Sequence, residues 1–385
     1  MSIETRRELI RKIEEARDSR VLTYVTGDRQ PAVSQIGEDS LRPMVDHLRS
    51  MRHVKRIDLF LYSRGGAIDV PWRIATALRQ ASDEWNILIP FRANSAATLL
   101  ALGADHIIMG PQGELGPIDP QLTITRPGGA QPGGPAAGVQ ENINVEDVVA
   151  YMRFASERGG LTDQTALTTA FTKMTERVDP VLLGGIHRTH THIRDVARRM
   201  ILSRKKPPVE QKMATIIETL AEKVYAHGHA FGYKEALETG LPVEQASDAL
   251  DPLMWELLGE YEETMNLLRP LDVILALDTS DPYNEDVTIA IIESTWGTHS
   301  FSGTLRVEGQ RQMPPTLNVS MNMNLQLPPG IDPAQLPQAL QQEFAAAQQA
   351  LLQQAQVAVQ QALRQQAPLL GAQVRLLGGK WNLDS

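Results

Sequence analysis

The chain has 385 residues and a formal net charge of −9, which argues against a general nucleic-acid binder, whose surface would be basic. Its 42% hydrophobic content suits a soluble protein with a buried core, and its length allows two domains or one large domain with appendages. There is no cysteine, so disulfides, cysteine nucleophiles and thiolate metal sites are excluded, in keeping with a reducing compartment. No stretch approaches the ~18 apolar residues of a membrane span. The segment Met1 to Glu8 lacks the apolar centre of a secretory signal, so a cytoplasmic location is expected.

Glu4 to Asp18 reads as an amphipathic helix with Leu9, Ile10 and Ile13 on one side. Arg20 to Thr26 is a strand that begins a sheet, and Ser40 to Met51 is a second helix. The run Ile57 to Tyr62 is a strand that breaks at Ser63-Arg64-Gly65-Gly66, and a helix follows from Val70 to Ala81. A further strand, Asn86 to Phe91, ends at Arg92-Ala93-Asn94-Ser95-Ala96-Ala97-Thr98, where another apolar helix starts. His106 to Met109 is the next strand. Strand and helix alternate here with short, Gly-bearing connections, the pattern of a parallel sheet with crossover helices.

The Pro/Gly-rich stretch 126–138 cannot bury a core and is expected to be a surface loop, either a spacer or a flap beside the site. Helices are expected over Asn144 to Arg158, Gln164 to Arg177, Val181 to Ser203, Val209 to Tyr225 and Ala249 to Arg269. His187, His190 and His192 cannot all share one helix face, so a solvated basic helix is preferred to a metal site. Val273 to Leu277, Val287 to Ile292, Phe301 to Val307 and the alternating run Leu317 to Leu327 read as strands. Asp332-Pro333 then resembles a helix start, and an Ala/Gln-rich helix with a thin apolar stripe runs to about Gln366. Such a helix needs a partner surface, so segment 331–385 is expected to serve assembly. Domain boundaries are expected at 1–245, 246–330 and 331–385.

Two of the strand-to-helix turns carry chemistry. Ser95 sits among Ala93, Ala96 and Ala97, which leave room for a substrate carbonyl, and the helix behind it favours an anion. A serine in that place is, on its own, most often a plain helix cap. The Gly65-Gly66 turn one strand earlier shifts the balance towards a nucleophile, because paired glycines allow close backbone approach by a substrate. Asp105 and Asp119 occupy turns, where turn-forming roles suffice.

The turns Ser63-Arg64-Gly65-Gly66 and Asn94-Ser95-Ala96-Ala97-Thr98-Leu99 resemble those of the Clp/crotonase superfamily of serine peptidases. Ala104-Asp105-His106-Ile107, Gly116-Pro117-Ile118-Asp119-Pro120-Gln121, Val224-Tyr225 and the run Lys234 to Leu241 are most similar to the serine dehydrogenase proteinase family, in its signal-peptide-peptidase-A-like branch. The likeness runs from about Glu4 to Val243. It implies an α/β, Clp/crotonase-like ββα superhelical core, with an α+β extension beyond it, and a serine endopeptidase that needs no metal or cofactor. It also implies an oxyanion hole from the Gly66 and Ala96 amides, with Gly65 against the substrate. The family's more usual proline is here Arg64. Relatives of the Clp type use His and Asp, but Ile118 and Asp119 stand in that neighbourhood. The signal-peptide-peptidase-like ones use a lysine from a later helix, and Lys173 is the first lysine after Ser95. A buried Lys173 beside Ser95 is therefore the expected base, with His227 and His229 in reserve. The resemblance further implies peptide or protein substrates and a closed homo-oligomer. The alternative is a catalytically silent Clp-fold module used for protein interaction and assembly.

Overall fold

The computed structural model describes residues 3–118, 121–126, 139–144, 150–176, 178–221, 229–312 and 337–384. Its elements begin with α1 (Ile3–Arg17), β1 (Arg20–Thr26), α2 (Leu41–Met51), β2 (Val54–Tyr62), α3 (Val70–Ala81) and β3 (Ser82–Ile89). The short β4 (Arg92–Ala93), α4 (Ala96–Leu102), β5 (Ile107–Met109) and β6 (Glu114–Leu115) come next. The following pair, β7 (Gln121–Arg126) and β8 (Val139–Asn144), is antiparallel. Asn144 thus closes a strand, where the sequence pattern starts a helix; residues 127–138 of the Pro/Gly-rich stretch lie outside the described residues.

The chain continues with α5 (Gln164–Thr175), α6 (Pro180–Leu202), α7 (Glu210–Ala221), β9 (Phe231–Gly232), α8 (Tyr233–Glu238), β10 (Val243–Gln245) and α9 (Asp251–Thr264). The last elements are α10 (Val273–Thr279), β11 (Tyr283–Ser294), β12 (Gly297–Arg311), α11 (Gln338–Gln366) and β13 (Leu369–Asp384). The expected strand at Val273 to Leu277 is thus a helix. The Asp272 carboxylate accepts from the amides of Ile274 (3.0 Å) and Leu275 (3.1 Å), and this cap decides an apolar run too short for periodicity to settle. The expected strands at Val287 and Phe301 lie within β11 and β12, whereas Leu317 to Leu327 and Asp332-Pro333 fall outside the described residues. After α11 the chain forms β13 rather than a tail.

Two compact units divide the chain. The first comprises Met1–Pro270, Val287–Gly303 and Gly379–Ser385, the second Leu271–Asp286 and Thr304–Gly378. The boundary expected at residue 245 falls inside the first unit, because α9 packs on the sheet there. Tyr261 of α9 is fully buried, 2.7 Å from the Thr23 hydroxyl of β1.

The sheet order β10-β5-β3-β2-β1 is parallel throughout, with Leu22 opposite Leu59 and Leu59 opposite Ile87, and β11 joins β1 antiparallel. Alternate residues of each strand enter two separate cores. Leu22, Ile57, Leu59, Ile87 and Ile107 face one side, where α3, α4, α6 and α7 supply Leu78, Leu99, Ile193 and Ile216. Val21, Phe60, Leu88 and Ile108 face the other, against Ile10 and Ile13 of α1 and Leu257 of α9. A parallel sheet covered on both faces explains why its strands read as near-continuous apolar runs. No helix among the described residues is long and apolar enough to cross a membrane.

His47 of α2 is buried without charge. Its Nδ1 lies 2.7 Å from the Ser294 hydroxyl and its Nε2 lies 3.0 Å from Nδ1 of His299, with the Trp296 ring edge-on at 5.1 Å. Burial, then His299, pushes the His47 pKa down to about 4, with Asp46 opposing; burial also lowers His299. A histidine held below its ordinary value binds its proton more readily unfolded, so its contribution is full above about pH 6.5 and fades as pH falls towards 4. Thermal melts should show about 2 kcal/mol of stability lost between pH 7 and pH 5 on account of His47. A His47→Gln variant should have a flatter pH profile over that interval; an equally steep one would rule this histidine out.

Candidate active site

The site is built where β2 and β3 run out. Beyond the sheet, the Ser63 amide donates to the Arg92 carbonyl and the Asn94 amide donates to the Ser63 carbonyl, each at 3.0 Å. This bridge between Ser63 and Ala93 carries the two turns forward side by side. The Ser63 hydroxyl, fully buried, accepts from Thr26 Oγ1 (2.8 Å) and from the Gly65 amide (3.0 Å). The Gly65 carbonyl accepts from the Ile36 amide at 2.8 Å. Both polar groups of Gly65 are therefore occupied, and the Gly66 amide has no acceptor among the described residues.

The nucleophile turn follows the same logic. The carbonyls of Asn94 and Ser95 accept from the amides of Ala97 and Leu99, both at 3.0 Å, and the Ala96 amide is left without a protein acceptor among the described residues. Ser95 occupies the N-cap position of α4 but forms no capping bond; its backbone has φ 52° and ψ −115°. A non-glycine residue held at such angles costs about 1–3 kcal/mol, which surrounding structure must offset. Thr98 helps do so, since its buried hydroxyl donates to the Ala93 carbonyl (2.7 Å) and accepts from the Gly116 amide (3.1 Å). The Ser95 hydroxyl itself, half-buried, bonds to nothing among the described residues.

Glycine is required at the meeting of the two turns. Gly65 has φ +109°, and a Cβ there would lie 2.7 Å from the Asn94 carbonyl oxygen, 2.9 Å from Ser95 Cβ and 3.1 Å from the Ala96 nitrogen. Gly66, at φ +153°, lies against the Ile36 backbone. Gly65, Gly66, Ser95 and Ala96, named from the sequence, thus form one cluster. Residues 1–130 match the ClpP-like SDH-type serine proteinase family. That span contains the whole cluster.

Two uncharacterized proteins of Methanocaldococcus jannaschii are similar to part of the chain. One is 34% identical over 126 residues, covering 30% of this chain and 43% of its own, and the other 33% identical over 121 residues, covering 29% and 41%. The chain therefore spans less than half the length of these relatives. Among solved structures, a lysine-to-alanine mutant of the 1510-N membrane-bound stomatin-specific protease, in complex with a substrate peptide, aligns at 16% identity with a TM-score of 0.31. That alignment covers 56% of this chain and 72% of that one. ClpP1 from Listeria monocytogenes aligns at 14% identity and TM-score 0.32, covering 64% and 99%.

The base expected from the sequence is not buried. Lys173 lies on α5 with its side chain 66% exposed, and its Nζ contacts the Glu176 carboxylate at 2.8 and 3.0 Å. The desolvation that the lysine reading requires is absent in this arrangement. His227 lies outside the described residues, and His229 pairs with Glu235 at 2.7 Å. Asp105 is structural: it holds Arg79 (2.6 Å) and the Lys205 amide (2.7 Å), while Asp119 lies outside the described residues.

The fold shows one pairing that helical spacing hides. His192 of α6 places Nε2 at 2.6 Å from Asp69 Oδ1, three residues beyond Gly66, while Ile193 and Ala197 of the same helix enter the core with α4. A periodicity argument weighs the histidines of α6 against each other, and so cannot find a partner on α3's leading turn. Among the described residues no group of three or more His, Asp or Glu is placed to hold a metal ion.

Gly65→Ala should cost about 1–2 kcal/mol from the left-handed backbone alone, and more from the clash with Asn94 and Ser95. The expected outcome is a lower melting temperature together with lost reactivity of Ser95 towards a fluorophosphonate. A variant that melts and reacts like the parent would mean the two turns do not meet in this way.

Proposed function

We propose that the protein is a serine peptidase that cleaves peptide or protein substrates through an acyl-enzyme on Ser95. The observation that carries this reading is the pair of amides, Gly66 and Ala96, without acceptors among the described residues, in the two turns that meet at an uncapped, half-buried Ser95. In the proposed reaction Ser95 Oγ attacks the scissile carbonyl and gives its proton to a base. The carbonyl oxygen becomes an oxyanion held by the two amides, and collapse expels the amine, which takes up the proton. Water then hydrolyses the ester. Gly65, with no side chain, lets the substrate backbone lie close to the turn.

For the base we propose His192, because its Nε2 already pairs with Asp69 Oδ1 at 2.6 Å and Asp69 follows Gly66 by three residues in the chain. Lys173 fills the role only after leaving Glu176. The free hydroxyl of Ser95 is no obstacle, since catalytic hydrogen bonds often tighten only when substrate binds.

Ser95→Ala should abolish fluorophosphonate labelling and peptidase activity with no change in melting temperature, as only an unbonded hydroxyl is removed. Labelling that persists in this variant would sink the assignment, and a wild-type chain that never labels would favour a non-catalytic binding module. Comparing His192→Ala with Lys173→Ala separates the two bases. With an imidazole base, His192→Ala should cut the labelling rate by roughly 10²–10⁴-fold while Lys173→Ala leaves it unchanged, and the reverse pattern would assign the lysine instead.

A further inference from the structure

The charged groups behind the two turns are arranged around a single carboxylate. Asp28 follows β1 by two residues and its side chain is only 12% exposed. Its Oδ2 accepts from Arg64 Nε at 2.7 Å and from Arg92 Nη1 at 3.5 Å, and its Oδ1 accepts from the Tyr62 hydroxyl at 3.1 Å. Arg64 immediately precedes Gly65, and Arg92 stands three residues before Ser95. One carboxylate therefore holds a cation from the oxyanion turn and a cation from the nucleophile turn.

We propose that Asp28 is a positioning residue that clamps the Gly65-Gly66 turn against the Ser95 turn. The proposal rests on the reading of Ser95 as the nucleophile. Two guanidinium groups converge on Asp28; without its charge they would face each other, and repulsion would act directly on the two segments that must stay in register. The other charges nearby do not replace it. Glu114 lies 3.3 Å from Arg92 Nε, and the Glu262 carboxyl, pushed up by burial and by Asp28 against the opposing effect of Arg92, also senses that guanidinium; neither pairs with Arg64 among the described residues. Arg92 is also fixed by the Phe91 ring, 4.2 Å from its guanidinium carbon, so Arg64 is the cation that Asp28 chiefly restrains. The restraint matters at this point of the chain because Gly65 and Gly66 are the least constrained backbone in the site. An oxyanion donor is effective only when it stays within hydrogen-bond reach of a developing charge.

Arg64 stiffens its turn through an ion pair to a distant segment, so the turn's rigidity depends on Asp28 and not on Arg64 alone.

The test compares Asp28→Asn and Asp28→Glu with the parent in two measurements. Hydrogen exchange read by mass spectrometry over residues 62–67 and 92–97 should be about tenfold faster in Asp28→Asn, while residues 41–51 exchange as before. The maximal labelling rate of Ser95 by a fluorophosphonate should fall roughly 10–100-fold with unchanged half-saturation, and Asp28→Glu should recover most of it. Exchange equal to the parent's overturns the clamp, and faster exchange with undiminished labelling overturns its role in positioning. If Asp28→Asn does not fold, Arg64→Ala, at an exposed side chain, must show the same two effects or the proposal fails. A parent chain that does not label removes the peptidase reading, while the exchange comparison still decides whether Asp28 holds the turns.

Discussion

The site depends on two backbone hydrogen bonds that extend beyond the ends of two adjacent parallel strands. Ser63, one residue past β2, pairs with the short β4: its amide donates to the Arg92 carbonyl and its own carbonyl accepts from the Asn94 amide. Without that extra step the glycine turn and the serine turn would diverge, as loops leaving neighbouring strands normally do. With it, Gly65 comes so close to Ser95 and Ala96 that no side chain fits between them. The bridge thereby ties the glycine turn to the serine turn. A one-residue slip between β2 and β3 would break the site as well as turn every side chain to the wrong face.

Around this bridge, the polar groups are satisfied in a directed way. Thr26 and Ser63 use their hydroxyls on each other and on the Gly65 amide, and Ile36 takes the Gly65 carbonyl. Thr98 closes the serine turn from below through Ala93 and Gly116. Each of these bonds uses up a group that could otherwise pair with the Gly66 or Ala96 amide. Because buried backbone groups seldom go unpaired, the two amides without acceptors among the described residues stand out against the complete bonding around them. A core covered on both faces of the sheet supplies the rigidity that holds Ser95 in its left-handed conformation.

Buried charge is handled by the same economy of partners. Glu293, fully buried, accepts from Arg6 (2.7 Å), Tyr261 (2.8 Å) and Thr298 (2.6 Å), joining α1, α9 and β12 to the sheet. Asp58, equally buried, accepts from Arg17, Ser19 and Asn86, all at 2.9 Å. Such groups are strongly destabilising once a partner is removed, so they specify one arrangement of helices over the sheet. Asp28 differs in its location. Its partners belong to the site's own turns, which places an electrostatic tie where others of its kind serve only the scaffold.

The sequence alone determined the alternation of strands and helices through β5, because continuous apolar runs, helical spacing and glycine turns are local signals. Gly65, Gly66, Ser95 and Ala96 were legible together only through the family resemblance of the two turns, since a serine at such a turn is on its own most often a helix cap. Local signals failed where something distant or chemically small decided the outcome. The Asp272 cap made a helix of Val273 to Thr279, and Asn144 became part of β8 by pairing with Gln121. Only the tertiary structure decided which distant charged groups pair. Lys173 was singled out by its place in the order of lysines, but order says nothing of burial, and the fold leaves it in solvent with Glu176. His192 and Asp69, 123 positions apart, and Asp28 with Arg64 and Arg92 meet only because the fold brings separate parts of the chain together.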